Sequence, residues 1–457
     1  MLGLNKKIDL EDRYKGCLSG LAVGDSLGAA VEFLDRDSFI VKDMPTTVCK
    51  EDVKPGYWTD DTSMALCLAE SLIICKDFSP VDQMYRYLKW LSTGYMSPFG
   101  YAYGVGNTIL GSLNAFMDNP DEPYAGLTDP ESAGNGSLMR IAAIPMFYRK
   151  DLRLAGKYAI LSSRTTHQAK EALDACQVFT LMIIRALNGL SKNEILADDI
   201  AEIDDLSPAV KRIVTGSYKK LRRDQIKSTG YVIHSLEAAL WAFHKSKSFK
   251  EGALLAVNLG GDSDTTAAIF GQLAGAHYGY KAIPEKWRDL MAMKDKINDM
   301  AIKLLDLSDK LNRDKPNIYL DIDGVLIANE KHPAMHANEF LRYVLTNYPD
   351  TTYWLTTHCQ GDASAPMSHI SHLFDKDVAE LMKNIKPTTW LNSASKTEAI
   401  DFTKPFLWFD DDLFHNERQD LLKHKVLENW IEIDLRKDPD MLGKILESFP
   451  IPINTIR

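Results

Sequence analysis

Two acidic runs set far apart in the chain constrain this fold more than any other feature. Tyr57-Trp58-Thr59-Asp60-Asp61-Thr62 lies near the start, and Gly260-Gly261-Asp262-Ser263-Asp264-Thr265-Thr266 lies past the middle. Both are built from carboxylates and hydroxyls, without Cys or His. They therefore suit a hard, oxygen-seeking cation such as Mg²⁺ or Mn²⁺ and not zinc. Four carboxylates gathered in one place repel strongly unless neutralised. If the fold joins the runs, a metal site, with capacity for two ions, is the simplest reason for them. Asp60, Asp61, Asp262 and Asp264 are the candidate ligands. A competing role for the first pair is structural, because Thr59 or Asp60 ahead of an apolar run makes a good helix N-cap.

Neighbouring segments add to this. Gly24-Asp25-Ser26-Leu27-Gly28 lies in the first apolar helix pattern, and Glu32 is expected one helical turn beyond Gly28. Gly134-Asn135-Gly136-Ser137-Leu138-Met139-Arg140 is a glycine-rich turn ahead of an apolar stretch. Such a turn exposes backbone N–H groups at a helix N-terminus, where a pyrophosphate can bind. Thr165-Thr166-His167 follows. In this order the five motifs resemble the ADP-ribosylglycohydrolase family over roughly residues 10 to 305.

That resemblance implies an all-α fold and hydrolysis of a glycosidic bond at C1″ of ADP-ribose. It implies that Thr59 and Thr265 add oxygens to the metal site and that Asp60, Asp61 and Glu32 carry the catalysis. It gives Asp25, Gly134, Asn135, Gly136, Ser137 and His167 contacts to the substrate. A Glu on an amphipathic helix is otherwise a solvated surface group, and a lone His is otherwise a core residue. One branch, the dinitrogenase-reductase-reactivating glycohydrolases, has Asp-Ile-Gly where this chain reads Gly104-Val105-Gly106. The absent carboxylate argues against that branch's substrate and mechanism.

At 457 residues the chain predicts two or three domains. Its apolar fraction of 45% and charged fraction of 25% are those of a globular protein. A net charge of −10 argues against a general nucleic-acid or membrane-surface binder. The six cysteines (Cys17, Cys49, Cys67, Cys75, Cys176, Cys359) form no CxxC pair and read as reduced, buried thiols. No signal-peptide core and no membrane-spanning run is present, so a cytoplasmic location and no membrane partner are expected.

Up to about residue 310 the chain reads as helix after helix. Apolar residues recur at helical spacing over Arg13 to Phe33, Thr62 to Lys76, Glu171 to Leu187, Ser235 to Phe243, Phe249 to Val257 and Asp264 to Tyr278. Small residues in Gly271-Gln272-Leu273-Ala274-Gly275 permit close helix packing. The charged stretch Ser308 to Pro316, ending in a helix breaker, reads as a linker. Asn317 to Ile327, Thr352 to Thr356 and Pro405 to Phe409 then read as buried strands, with helices over Ala337 to Thr346 and Asp377 to Lys383. The expected architecture is a multidomain chain: an all-α domain over 1–310, then an α/β parallel-sheet domain over 316–457.

In an open parallel sheet, ligands bind beyond the carboxyl ends of the strands. That places Asp321, Asp323, Thr356, Lys396, Asp410 and Asp411 at one mouth. The runs Leu320 to Leu326, Trp354 to His358 and Leu407 to Asp412 resemble the haloacid dehalogenase (HAD) superfamily, in the capless form of some RNA-repair proteins. The resemblance implies Asp321 as nucleophile, Asp323 as acid/base, Thr356 and Lys396 on phosphoryl oxygens, and Asp321, Asp323, Asp410 and Asp411 as ligands of Mg²⁺. Such a domain can equally survive as a docking module. His358 beside Cys359 lacks a further Cys or His at metal spacing and reads as local decoration.

The expected activity is metal-dependent removal of ADP-ribose from a modified protein, nucleic acid or small molecule, with a C-terminal phosphatase. Two other readings compete. One is a phosphatase or nucleic-acid-end enzyme whose helical domain only recognises ADP-ribose. The other is a non-catalytic binding or immunity protein.

Overall fold

The computed structural model describes residues 8–45, 53–203, 205–313, 316–329, 331–390 and 395–448. Cys49 and part of the charged stretch before Pro316 lie outside these. The chain divides into two compact units, residues 1–310 and 311–457.

The first unit holds α1 (Leu10–Gly28), α2 (Asp60–Cys75), α3 (Pro80–Thr93), α4 (Asn107–Asp118), α5 (Ala143–Phe147), α6 (Leu152–Arg164) and α7 (Lys170–Leu187). It continues with α8 (Lys192–Ile195), α9 (Pro208–Val214), α10 (Val232–Lys245), α11 (Phe249–Val257), α12 (Ser263–Tyr278), α13 (Glu285–Leu290) and α14 (Lys294–Arg313). One large apolar core joins them, with Trp58, Trp90 and Trp287 fully buried.

At the centre α1 and α12 touch backbone to backbone. A Cβ on Gly16 would fall 2.3 Å from the Gly275 carbonyl oxygen, one on Gly20 2.3 Å from that of Gly271, and one on Gly24 2.0 Å from that of Ala267. A Cβ on Gly28 would fall 2.3 Å from the Asp264 Cα. Four glycines at four-residue spacing form one face of α1, and only that face admits so close a neighbour. Arg13, itself buried, donates to the carbonyls of Ala186, Ala276 and His277 at the C-terminal ends of α7 and α12. A cation there satisfies orphan carbonyls and opposes the negative end of each helix.

The second unit is a four-stranded parallel sheet in the order β4 (Thr352–Trp354), β1 (Asn317–Leu320), β5 (Phe406–Asp410), β6 (Trp430–Glu432). A two-stranded hairpin, β2 (Ile327–Asn329) with β3 (His332–Pro333), stands apart from it. The remaining helices are α15 (Ala337–Asn347), α16 (Ser364–Ile370), α17 (Lys376–Met382), α18 (His415–Lys423) and α19 (Met441–Ser448).

Three expectations change. The stretch from Ser308 is no linker up to Arg313, because α14 runs through it. Leu304 and Ser308 are buried there and Asp309 pairs with Lys150 at 2.8 Å, so the charges lie on a helix with one inward stripe. The apolar run Asn317 to Ile327 is two strands, since Gly324 at φ +71° turns the chain and the Leu326 N–H bonds the Ile322 carbonyl. Glu32 is not on a helix. α1 stops at Gly28, and the Phe33 N–H pairs with the Gly261 carbonyl at 2.7 Å.

The α1–α12 contact generates a paired prediction. Gly271→Ala gains up to about 1 kcal/mol in helix propensity, but its Cβ would lie 2.0 Å from the Gly20 carbonyl oxygen. Overpacking at about 1–3 kcal/mol or more wins, so thermal melts should show a lowered Tm. Gly111→Ala, where an added Cβ on α4 meets nothing within 4 Å, should leave the Tm unchanged or raise it.

Candidate active site

The site grows from the α1–α12 crossing. Asp25 on α1 reaches the start of α2 and caps it from outside. Its Oδ1 accepts from the Thr59 N–H at 2.9 Å and the Thr59 hydroxyl at 3.0 Å. Its Oδ2 accepts from the Thr62 N–H at 3.0 Å and the Thr62 hydroxyl at 2.6 Å. Thr59, the N-cap residue of α2, makes no capping bond with its own side chain. Asp25 thus takes the work that an N-cap side chain normally does, and Asp60 and Asp61 are fixed in the first turn. Burial pushes the Asp25 carboxyl up to about 6, against the pull of those four bonds.

Asp61 and Asp264 then meet from α2 and α12. One oxygen each from Asp25, Asp61 and Asp264 lies within 4.8 Å of the others, all three residues buried. Donors are too few for these acceptors. The Thr59 hydroxyl, with one proton, faces Asp25 at 3.0 Å, Asp61 at 2.9 Å and Asp264 at 3.4 Å. The Thr265 hydroxyl lies 3.4 Å from Asp61 Oδ2. Asp61 Oδ1 and Asp264 Oδ1 are buried with no hydrogen-bond partner. A buried acceptor left unmatched costs roughly 1–3 kcal/mol, more when charged. Burial first, and the neighbouring carboxylates second, push Asp60, Asp61 and Asp264 well above the usual carboxylate range. A donor set of oxygens alone, with two orphaned, fits a hard divalent cation.

A cavity of about 240 Å³ opens over this cluster, lined among others by Glu32, Asp60, Asp262, Asp264, Thr265, Gly134, Asn135, Gly136 and His167. Glu32 acts electrostatically on both Asp60 and Asp264. Asp262 Oδ2 accepts from Asn135 Nδ2 at 2.7 Å, and that amide also donates to Ser235 Oγ at 2.8 Å. Gly260 and Gly261, both at positive φ, carry the chain round into α12, and Arg36 ties the turn by donating to the Leu259 carbonyl at 2.8 Å.

The turn at Gly134 does not enter a helix at once. Residues 135–142 are bends and turns, and α5 that follows has only five residues, so the expected helix N-terminal anion site is not formed there. The Ser137 hydroxyl faces the core, accepting from Ser163 at 2.7 Å, and is not among the cavity lining. Gly104 and Gly106, which stand in the sequence where a carboxylate is absent, line the cavity together with Asn107, Thr108, Ile109 and Gly230, which no sequence motif signals. Asn107, Thr108, Ile109 and Gly230 carry no charged side chain themselves and lie outside the five motifs. Met139 is buried and also lines the cavity. Gly104, where the absent carboxylate was noted, sits so close to Asp60 that a Cβ would fall 2.5 Å from its Oδ1.

His167 is held from behind. The fully buried Arg140 donates to the Gly136 carbonyl at 3.0 Å and to Thr166 Oγ1 at 2.7 Å. Thr166 Oγ1 lies 2.8 Å from His167 Nδ1. An arginine only donates, so the threonine proton is free for Nδ1, and Nε2 carries the imidazole proton. Burial, with the Arg140 charge second, lowers the imidazole to about 3, so it is neutral at physiological pH. It is a neutral donor beside the glycine turn, where a Cβ on Gly134 would lie 3.1 Å from Nε2.

In the second unit the strand ends bring a separate cluster together. Asp321, Asp410 and Asp411 each offer an oxygen within 4.8 Å of the others. Lys396 Nζ bridges Asp321 at 2.8 Å and Asp410 at 2.6 Å. Burial disfavours its charge, but the two carboxylates outweigh that and raise it to about 12. Burial, then Asp321, raises Asp410 to about 7. Thr356 is fully buried at the end of the neighbouring strand. Asp323 points elsewhere, to His358 Nε2 at 2.8 Å.

The Thr166 relay predicts a measurable tautomer. Long-range ¹H–¹⁵N spectra should show His167 protonated at Nε2. Thr166→Val should let the Nδ1–H form grow in, and Thr166→Ser should restore the wild-type pattern.

Comparison with known proteins places the helical unit. The family model described as ADP-ribosylglycohydrolase matches residues 6–314. The chain is 38% identical over 293 residues to the ADP-ribosylarginine hydrolase Tri1 of Serratia proteamaculans (strain 568), covering 64% of this chain and 79% of that one. It is 29% identical to the ADP-ribosyl-[dinitrogen reductase] glycohydrolase of Rhodospirillum rubrum, over 62% of this chain and 92% of the other. With human ADP-ribosylhydrolase ARH3 it shares 27% identity, over 60% of this chain and 88% of that protein. A solved structure titled ADP-ribosylglycohydrolase-related protein complex superposes with a TM-score of 0.58 at 40% identity, covering 65% of this chain and 99% of that one. A family match running through every element that builds the acidic cavity settles the assignment: the chain belongs to the ADP-ribosylglycohydrolase family, whose members are hydrolase enzymes.

Proposed function

We propose that the helical unit hydrolyses the C1″ glycosidic bond between ADP-ribose and an arginine side chain, with Mg²⁺ or Mn²⁺ held by Asp61 and Asp264. The observation that carries this is the pair of orphaned, buried oxygens Asp61 Oδ1 and Asp264 Oδ1 beside a cavity that also holds His167 and the glycine turn. Thr59, Thr265, Asp60 and Asp262 complete an oxygen set large enough for two ions. Divalent ions there would supply Lewis-acid polarisation of a water or of sugar hydroxyls.

The chain's own groups do the rest. Carboxylates around the cavity stabilise a transition state with oxocarbenium character. Glu32, which lines the cavity and lies within electrostatic reach of Asp60 and Asp264, is the acid/base that handles the proton of water and leaving group. Gly134 and Gly136 let the backbone approach the diphosphate, and the His167 Nε2–H donates to the bound ligand. Arginine as acceptor rests on the named activity of the Tri1 relatives and on the acidic lining, which suits a guanidinium.

Two outcomes test this. Metal added at about a hundred times its Kd should stabilise the helical unit by roughly 2.7 kcal/mol, read as a rise in Tm. Asp61→Asn should lose that rise, and without metal it should melt no lower than the wild type, because a buried like charge is removed. Asp61→Asn and Asp264→Asn should each lower kcat on an arginine-linked ADP-ribosylated protein more than about 100-fold. Full activity in either, or release from serine-linked but not arginine-linked substrate, overturns the reading. A purely binding protein would release no ADP-ribose in any case.

A second reading concerns the sheet unit, a HAD-like phosphatase, favoured by Lys396 held between Asp321 and Asp410. Asp321 attacks phosphorus, the alcohol leaves with a proton from Asp323, and water then hydrolyses the aspartyl phosphate. Thr356 and Lys396 steady the phosphoryl oxygens, and Asp321, Asp410 and Asp411 would hold Mg²⁺. Asp321→Asn should abolish phosphate release from an aryl phosphate and spare ADP-ribose release, with Asp61→Asn doing the reverse. Phosphate release unaffected by Asp321→Asn refutes it.

A further inference from the structure

His358 has no metal-binding partner at sequence spacing, but the fold supplies one. His369 on α16 stacks on it, the ring centroids 4.3 Å apart and the planes 23° from parallel. His358 Nε2 lies 2.8 Å from Asp323 Oδ2. One donor atom from each of Asp323, His358 and His369 falls within 4.8 Å of the other two. Ligands bound about 2.0–2.2 Å from one ion are separated by roughly 3–4 Å, so this set closes on a cation when the donor atoms draw together and the two stacked rings tilt apart. Asp323 is 60% exposed and His358 33% exposed, which leaves an ion open to water on one side.

The donor chemistry differs from that of both other clusters. The Asp25–Asp61–Asp264 and Asp321–Asp410–Asp411 groups offer oxygen alone, and the second is already bridged by the Lys396 ammonium. Two imidazoles and one carboxylate select a borderline transition metal over Mg²⁺, in the pattern of three protein ligands with a position left open. We infer that Asp323, His358 and His369 bind a divalent transition-metal ion of the zinc class at the mouth of the C-terminal sheet. The site stands on its own donor set and does not rest on the phosphatase reading. If that reading holds, the ion engages the Asp323 carboxylate and suppresses phosphate release.

The test uses the full chain, stripped with chelator and titrated with Zn²⁺, and with Co²⁺ as a visible probe, in millimolar Mg²⁺ to occupy the all-oxygen clusters. One equivalent of Zn²⁺ should bind, and Co²⁺ should give a ligand-field band that Zn²⁺ abolishes. His358→Ala and His369→Ala should each weaken binding by more than about 100-fold, since even an outer-shell partner's loss costs 10–100-fold. His372→Ala, an exposed neighbour outside the cluster, should leave affinity unchanged. All three variants should keep the wild-type melting profile, which separates a lost ligand from a lost fold. No Zn²⁺ uptake in Mg²⁺, uptake unchanged in His369→Ala, or equal loss in His372→Ala would each overturn the site.

Discussion

Everything in the helical unit depends on α1 and α12 being able to touch through their backbones. Side chains normally hold helices 8–10 Å apart. Here glycines at positions 16, 20, 24 and 28 remove that spacer along one face, and Gly275, Gly271 and Ala267 answer it. The last rung sets Gly28 against the Asp264 backbone. Because of that rung, Asp25 and Asp264 can share one site. Arg13, donating to the ends of α7 and α12, fixes the far end of the same contact.

That closeness creates an electrostatic problem which the two units solve differently. In the helical unit, Asp25 accepts from three donors at the start of α2 and shares a fourth, the Thr59 hydroxyl, with Asp61 and Asp264. Asp61 and Asp264 are left with too few protons around them. In the sheet unit a lysine is built into the carboxylate cluster, bridging Asp321 and Asp410. The first cluster is short of donors, and in the second an ammonium group supplies part of the counter-charge. Carboxylates gathered within 4.8 Å of one another thus meet different electrostatic surroundings according to what else the fold brings near.

The glycine turn and His167 illustrate how second-layer groups set a site's properties. Arg140 reaches both, through the Gly136 carbonyl and Thr166. A buried guanidinium with this reach holds the turn's shape and the imidazole's tautomer at once. None of this is visible in Gly134-Asn135-Gly136-Ser137 itself.

The sequence by itself determined the helix-rich first part, the parallel-sheet second part and the order of their motifs, because periodicity and strand–helix alternation are local properties. α11 was legible residue for residue. It also marked Asp60, Asp61, Asp262 and Asp264 as candidate ligands, since they stand in runs whose residue types suit hard cations. Only the tertiary structure decided how they are used. It took Glu32 off the helix, because the Gly261 carbonyl captures the Phe33 N–H. It turned the Ser137 hydroxyl inward, broke the run after Leu320 at Gly324, and kept α14 helical where charge suggested a linker. It also set His369 on His358. Each of these depends on a partner distant in sequence, and local pattern holds no record of such partners.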